Sequence, residues 1–207
     1  MEELQEKESK VVENATGIFM KYGIKSVNMD DMSRYLGMSK KTLYLFVKDK
    51  EDLVRKAVAH FCTKEDSEIR NICHQGLNAI DESLEIMRWV LNVLKNVHPS
   101  VNFDLEKYHP EVARAMKDNR HRAIYDCIRL NMKKGQREGL YRKDFNAEVI
   151  AKMYIGRIDI IFDQDLFPIE DHSLSDLYRE MFKYHIRGIA STDGLEYLKE
   201  KMKQLKY

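Results

Sequence analysis

Proline, glycine, cysteine, net charge and long apolar runs are all scarce in this chain of 207 residues. With 3 prolines and 9 glycines there is little to break helices, and no sustained alternation marks a sheet, so an all-α protein is expected. A formal net charge of +1 excludes a protein that coats nucleic acid through overall basicity. Any DNA affinity must come from a local patch. No run of about 18 apolar residues could span a bilayer. The charged opening MEELQEKESK lacks the apolar centre of a signal peptide, so a cytoplasmic location and no membrane partner are expected. Cys62, Cys73 and Cys127 are odd in number and show no CxxC spacing, which argues against a disulfide scaffold or a zinc ribbon. They read as reduced, packed thiols, with redox sensing by one of them left open.

What the chain does have is dense punctuation over residues 28–53, NMDDMSRYLGMSKKTLYLFVKDKEDL. Asn28 suits a helix cap with Asp31 in the box position, Gly37 suits a left-handed turn residue, Ser39 caps a second helix, and Asp49 with Asp52 starts a third. Three caps and one glycine in so short a span describe a helix-turn-helix, whose second helix enters the major groove. Between Ser33 and Lys50 the cations Arg34, Lys40, Lys41, Lys48 and Lys50 face Asp49 alone, a local charge of +4.

Before that stretch, residues 7–22 carry an apolar stripe (Val11, Val12, Ala15, Ile18, Phe19, Tyr22) that braces the reading helix. After it, a helix from Asp49 runs on as far as Cys73, because nothing stops it before Gly76. Further helices are expected over 78–97, 110–118, 119–138, 146–162, 174–189 and 194–206, with 99–110 irregular. His74, His98, His109, His121, His172 and His185 form no HxxxH pair, so no metal site is expected. No phosphate loop, nucleophile elbow or cofactor motif is present, so neither catalytic residues nor a cofactor are assigned.

Ala15, Phe19, Tyr22–Gly23, Met32–Ser33–Arg34, Gly37–Met38–Ser39, Thr42–Leu43–Tyr44 and Lys50–Glu51–Asp52–Leu53 together closely resemble the DNA-binding domain of the TetR/AcrR family of transcriptional regulators. The glycine-punctuated segment KKGQREGLYRKDFNAE resembles a turn that often precedes that family's penultimate core helix. The pattern departs at Leu45, Phe46 and Val47, where the family often carries polar or aromatic residues and then phenylalanine. Val47 is expected in the core, and Phe46 either meets a thymine methyl or packs.

The resemblance implies a TetR-like architecture. Residues 1–50 would form a three-helix reading domain, and 51–207 an effector-binding and dimerisation domain joined by the fourth helix. Asn28, Ser39, Lys40, Lys41, Tyr44 and Lys50 occupy positions that commonly contact DNA in the family, and Thr42 can add a hydrogen bond. An effector cavity would draw on Met87, Trp89, Leu91, Phe103, Tyr108, Met116, Tyr125, Cys127, Met153, Arg157 and Phe162. Each of these is also a plausible core residue. Arg157 and Asp159, which interrupt an apolar helix, either orient a polar ligand or form ion pairs. The last two large helices would pair two subunits. The function implied is a ligand-responsive repressor that binds a palindromic double-stranded operator as a homodimer. Alternatives are an activator or protein-controlled regulator of the same fold, and a helical enzyme or carrier with a vestigial head.

Overall fold

The computed structural model describes residues 2–168 and 170–204. Among them are ten helices and no strand. In order these are α1 (Glu2–Tyr22), α2 (Met29–Tyr35), α3 (Lys40–Leu43), α4 (Lys50–Cys73), α5 (Ala79–Asn96), α6 (Ser100–Tyr108), α7 (Pro110–Glu138), α8 (Ala147–Ile161), α9 (Leu174–Ile189) and α10 (Thr192–Gln204). No helix among the described residues is long and apolar enough to cross a membrane.

The chain divides into two compact units, one reaching to Ser67 and including Asn96–Arg120, the other comprising Glu68–Lys95 and the residues from His121 onward. In the first, the stripe on α1 meets Met32, Leu43, Val47, Leu53 and Val54, which are almost completely buried. Val47 thus holds the core place expected of it, and Phe46 packs against the same cluster. Val101 and Leu105 of α6 join this core.

Two helical spans depart from expectation. Residues 100–108 form α6 rather than an irregular segment: Pro99 sits at the N-cap, and Val101 and Leu105, one turn apart, are both buried. Residues 110–138 form one helix, not two. Nothing around Asn119 opposes continuation, and burial of Val112 in one unit and Met132 in the other rewards a long helix.

The second unit is built from α5, the later part of α7, α8, α9 and α10, around Ile80, Leu84, Met132, Tyr154, Ile158, Phe182 and Ile186. One buried polar network sits within it. Asn131 Nδ2 donates to the Ala79 carbonyl at 2.9 Å and to Glu82 Oε1 at 2.8 Å, while Lys134 Nζ donates to Glu82 Oε2 at 2.6 Å. The Tyr141 hydroxyl lies 3.0 Å from both the Ala79 carbonyl and Asn131 Oδ1. Every member therefore has a partner, which is what makes such burial tolerable.

Gly135 of α7 explains how the Tyr141 ring fits: a β-carbon there would stand 2.1 Å from the ring. Gly135→Ala is expected to destabilise the protein by about 3 kcal/mol through overpacking, despite alanine's better helix propensity. A thermal melt that is unchanged or raised would contradict this.

The cysteines are free and half-buried. Cys73 and Cys127 hydrogen-bond to each other, and burial raises the Cys62 thiol to about 11.

His185 of α9 is buried against the Tyr154 ring, with centroids 4.6 Å apart, and burial lowers its pKa to about 4. The unfolded chain then binds a proton near pH 6.5 that the folded chain refuses until about 4. Its contribution is neutral above 6.5 and destabilising below. By pH 4 it costs about 3 kcal/mol. The Glu65 carboxyl, raised to about 7 by burial, acts in the opposite sense, gaining stability as pH falls. The His185 effect is therefore expected in the comparison with His185→Gln: the difference in stability between the two shrinks or reverses from pH 7 to pH 4.5. A difference independent of pH would refute it.

Candidate nucleic-acid interface and effector region

The reading head is set by local capping. Asn28 Oδ1 accepts from the Asp30 and Asp31 N–H groups, both at 2.9 Å, and Asp31 Oδ2 accepts in return from the Asn28 N–H at 3.2 Å. This reciprocal box fixes the start of α2. Gly37, at φ 65°, makes the turn in a conformation that disfavours a side chain. Ser39 Oγ then accepts from the Thr42 N–H at 3.0 Å and lies 2.8 Å from Thr42 Oγ1. Of the expected DNA contacts, Asn28, Ser39 and Thr42 thus have side-chain atoms engaged in shaping the head.

Lys40, Lys41 and Tyr44 are exposed on or just after α3. Lys40 Nζ rests 2.9 Å from Asp30 Oδ1, and that hydrogen bond raises its pKa. No carboxylate pairs with Lys41 among the described residues. Lys50 is half-buried, donates weakly to the Lys25 carbonyl at 3.5 Å, and has its pKa lowered by burial. Leu45, 69% exposed beside Tyr44, belongs to this surface although no polar signal marked it in the sequence.

Non-local contacts within this unit tie α6 and the start of α7 to the head. Asp104, 3% exposed, accepts from the Ile24 N–H at 3.0 Å, the Lys25 N–H at 2.9 Å and Ser100 Oγ at 3.1 Å. His109 at the start of α7 pairs with Glu51 in the first turn of α4. The His98 N–H donates to the Met20 carbonyl at 2.6 Å. No sequence signal pointed to Asp104, and Glu51 stood in the Lys50–Glu51–Asp52–Leu53 element without a pairing role.

The expected effector residues fall in both units. Phe103, Tyr108 and Met116 belong to the first, where Phe103 and Tyr108 are partly exposed beside Lys107. Met87 and Leu91 are buried in the core of the second, with Tyr125 and Phe162 packed against it. Trp89 is half-buried on α5, and Met153 is 51% exposed on α8. Arg157 lies over the Tyr184 ring at 5.2 Å, and Asp159 pairs with His121 at 2.9 Å. Within the second unit, then, Arg157 and Asp159 are in separate interactions. Val149, Met153 and Ile160 of α8 and Tyr184 of α9 form an exposed apolar surface on two helices that pack together.

A capped helix-turn-helix with a local cationic surface, followed by a larger helical unit, defines a helix-turn-helix protein of two all-α parts. No family model matches the chain. It has the fold of the TetR-family transcriptional regulators. A TetR-family regulator from Agrobacterium tumefaciens superposes with a TM-score of 0.69 at 13% identity, over 90% of this chain and 99% of that one. A transcriptional regulator from Saccharomonospora viridis, solved in complex with choline, gives 0.67 at 18% identity, over 90% and 99%. In sequence, the chain is 25% identical over 148 residues to the uncharacterized HTH-type transcriptional regulator YvaF of Bacillus subtilis (strain 168), covering 70% of this chain and 75% of that protein.

Proposed function

We propose that the protein is a ligand-responsive, DNA-binding transcriptional repressor that acts as a homodimer. The observation that carries this reading is the α2–turn–α3 head, whose caps are complete and whose exposed Lys40, Lys41 and Tyr44 lie together at the N-terminal end and flank of the reading helix. Lysines there serve phosphates or the acceptor edge of guanine, and the Tyr44 hydroxyl serves phosphate. One head reads too few base pairs for a unique site, so a two-fold pair reading half-sites about 34–36 Å apart is the economical arrangement. The exposed apolar residues of α8 and α9 support pairing through those helices.

Effector control follows from the same architecture. A ligand that favours one conformation of the second unit by about 1–3 kcal/mol changes operator occupancy roughly 5- to 150-fold. Helix α4 runs unbroken from the head to Cys73, and Asp104 and Glu51 lock α6 and α7 to the head, so a shift of these helices is felt by α2 and α3. That a protein of this fold has been solved with choline supports a small organic effector here. The reading excludes catalysis as the main role.

The test is titration of the purified protein against duplex fragments of the DNA upstream of its own coding region. One fragment is expected to bind with two chains per site, and any metabolite that raises the melting temperature is expected to change that affinity. Failure with every fragment would favour a carrier or enzyme with a vestigial head. Binding of DNA with no stabilising metabolite would favour control by a protein partner.

A further inference from the structure

A groove of about 960 Å³ lies within the second unit among α5, α9 and α10. Met87, Phe182, Ile186 and Leu198, all buried, form its floor. Arg179, Lys183, Arg187, Lys199 and Lys203 form its rim, and no carboxylate among the described residues lines it. This is unexpected in a chain with 35 Lys and Arg against 34 Asp and Glu. On α9 the cations recur at every fourth residue, so three of them edge the groove on one side. Arg179 and Lys183 are paired with Asp176 and Glu180 of their own helix at 2.6 and 2.7 Å. Arg187, Lys199 and Lys203 are exposed and have no ion pair among the described residues. Their aliphatic stems border the floor while the charges stand at the water boundary.

We propose that this groove binds a single-chain anionic amphiphile, with the acyl chain on the floor and a carboxylate or phosphate head among the rim cations. A volume of this size suits one small ligand. The apolar floor excludes a purely polar anion as the main occupant, because burying the floor supplies the larger gain. The rim favours an anionic head over an uncharged one, because Arg187, Lys199 and Lys203 carry no ion pair among the described residues and attract negative charge. A second copy of the chain is a poor occupant, since a two-fold contact would bring this rim against itself. Apart from Met87, none of the residues expected to surround an effector lines this groove. The site therefore stands on its own geometry and not on the regulator reading.

The experiment is calorimetric titration of the full chain with dodecanoate, dodecyl phosphate, dodecanol and inorganic phosphate, repeated on Arg187→Gln/Lys199→Gln/Lys203→Gln. At least one anionic amphiphile is expected to bind roughly tenfold or more tighter than dodecanol, and inorganic phosphate not measurably. The stronger of the two heads identifies the ligand class. The triple variant is expected to lose that preference while keeping its melting temperature and its weak dodecanol affinity. A photoreactive dodecanoate is expected to label α5, α9 or α10. Equal binding of dodecanol, an unaltered triple variant, labelling confined to other helices, or association only with phosphatidylglycerol vesicles would overturn the proposal. No readout uses DNA, so its failure leaves the regulator reading untouched.

Discussion

Replacing Lys40, Lys41 and Lys50 together by alanine is expected to lower affinity for an operator duplex roughly a hundredfold at moderate salt, and to flatten the slope of log K against log salt by up to about three. The three lysines contribute unequally. Lys41 has no carboxylate to leave among the described residues, so its contact with phosphate is gained outright. Lys40 must exchange Asp30 for DNA, a small cost for so exposed a pair. Lys50 sits half-buried at the start of α4, where the helix N-terminus also favours phosphate, and its removal disturbs the neighbouring turn. The expected order of single-variant effects is therefore Lys41 above Lys40, with Lys50 alone also lowering the melting temperature. Wild-type affinity in a folded triple variant would mean that the reading surface is elsewhere.

The second large effect is expected from Asp104→Ala. It strips the acceptor from the Ile24 and Lys25 N–H groups, and Ile24 is 1% exposed, so water cannot substitute freely. One buried and one part-buried donor left unsatisfied cost about 2–4 kcal/mol, or roughly 4–12 °C in melting temperature for a chain of this size. Asp104→Asn keeps one acceptor oxygen and is expected to recover a good part of that loss. Operator affinity should fall with stability in the alanine variant, because the α1–α2 turn that presents Asn28 and Lys25 loses its anchor. An unchanged melt for Asp104→Ala would show that the turn is held by its own backbone.

The parts of this molecule legible in the sequence are those governed by contacts a few residues apart. The Asn28 and Ser39 caps, the left-handed Gly37 and the continuation of α4 to Cys73 all follow from spacing of one turn or less. Helix α6 was not legible, because nine residues carry too few apolar positions to show a period and lie among turn-forming residues. Its burial rests on partners about 80 residues away, as the Asp104 bond to Ile24 shows. The division expected at Asn119 gave way because burial of Val112 and Met132 along one helix outweighs the small cost of an asparagine in its interior. In the candidate site, the cations were visible by charge, whereas Leu45 and Asp104 were not: exposure and long-range acceptance leave no mark on composition.

On the proposed function, two copies of the α2–turn–α3 head read one symmetric DNA site. Selection of bound duplexes from a random-sequence pool by the wild-type protein tests it most directly. Enrichment is expected of an inverted repeat whose half-sites lie about one helical turn or slightly more apart. A pool that stays random after repeated selection, or that yields a single unpaired half-site, would contradict it.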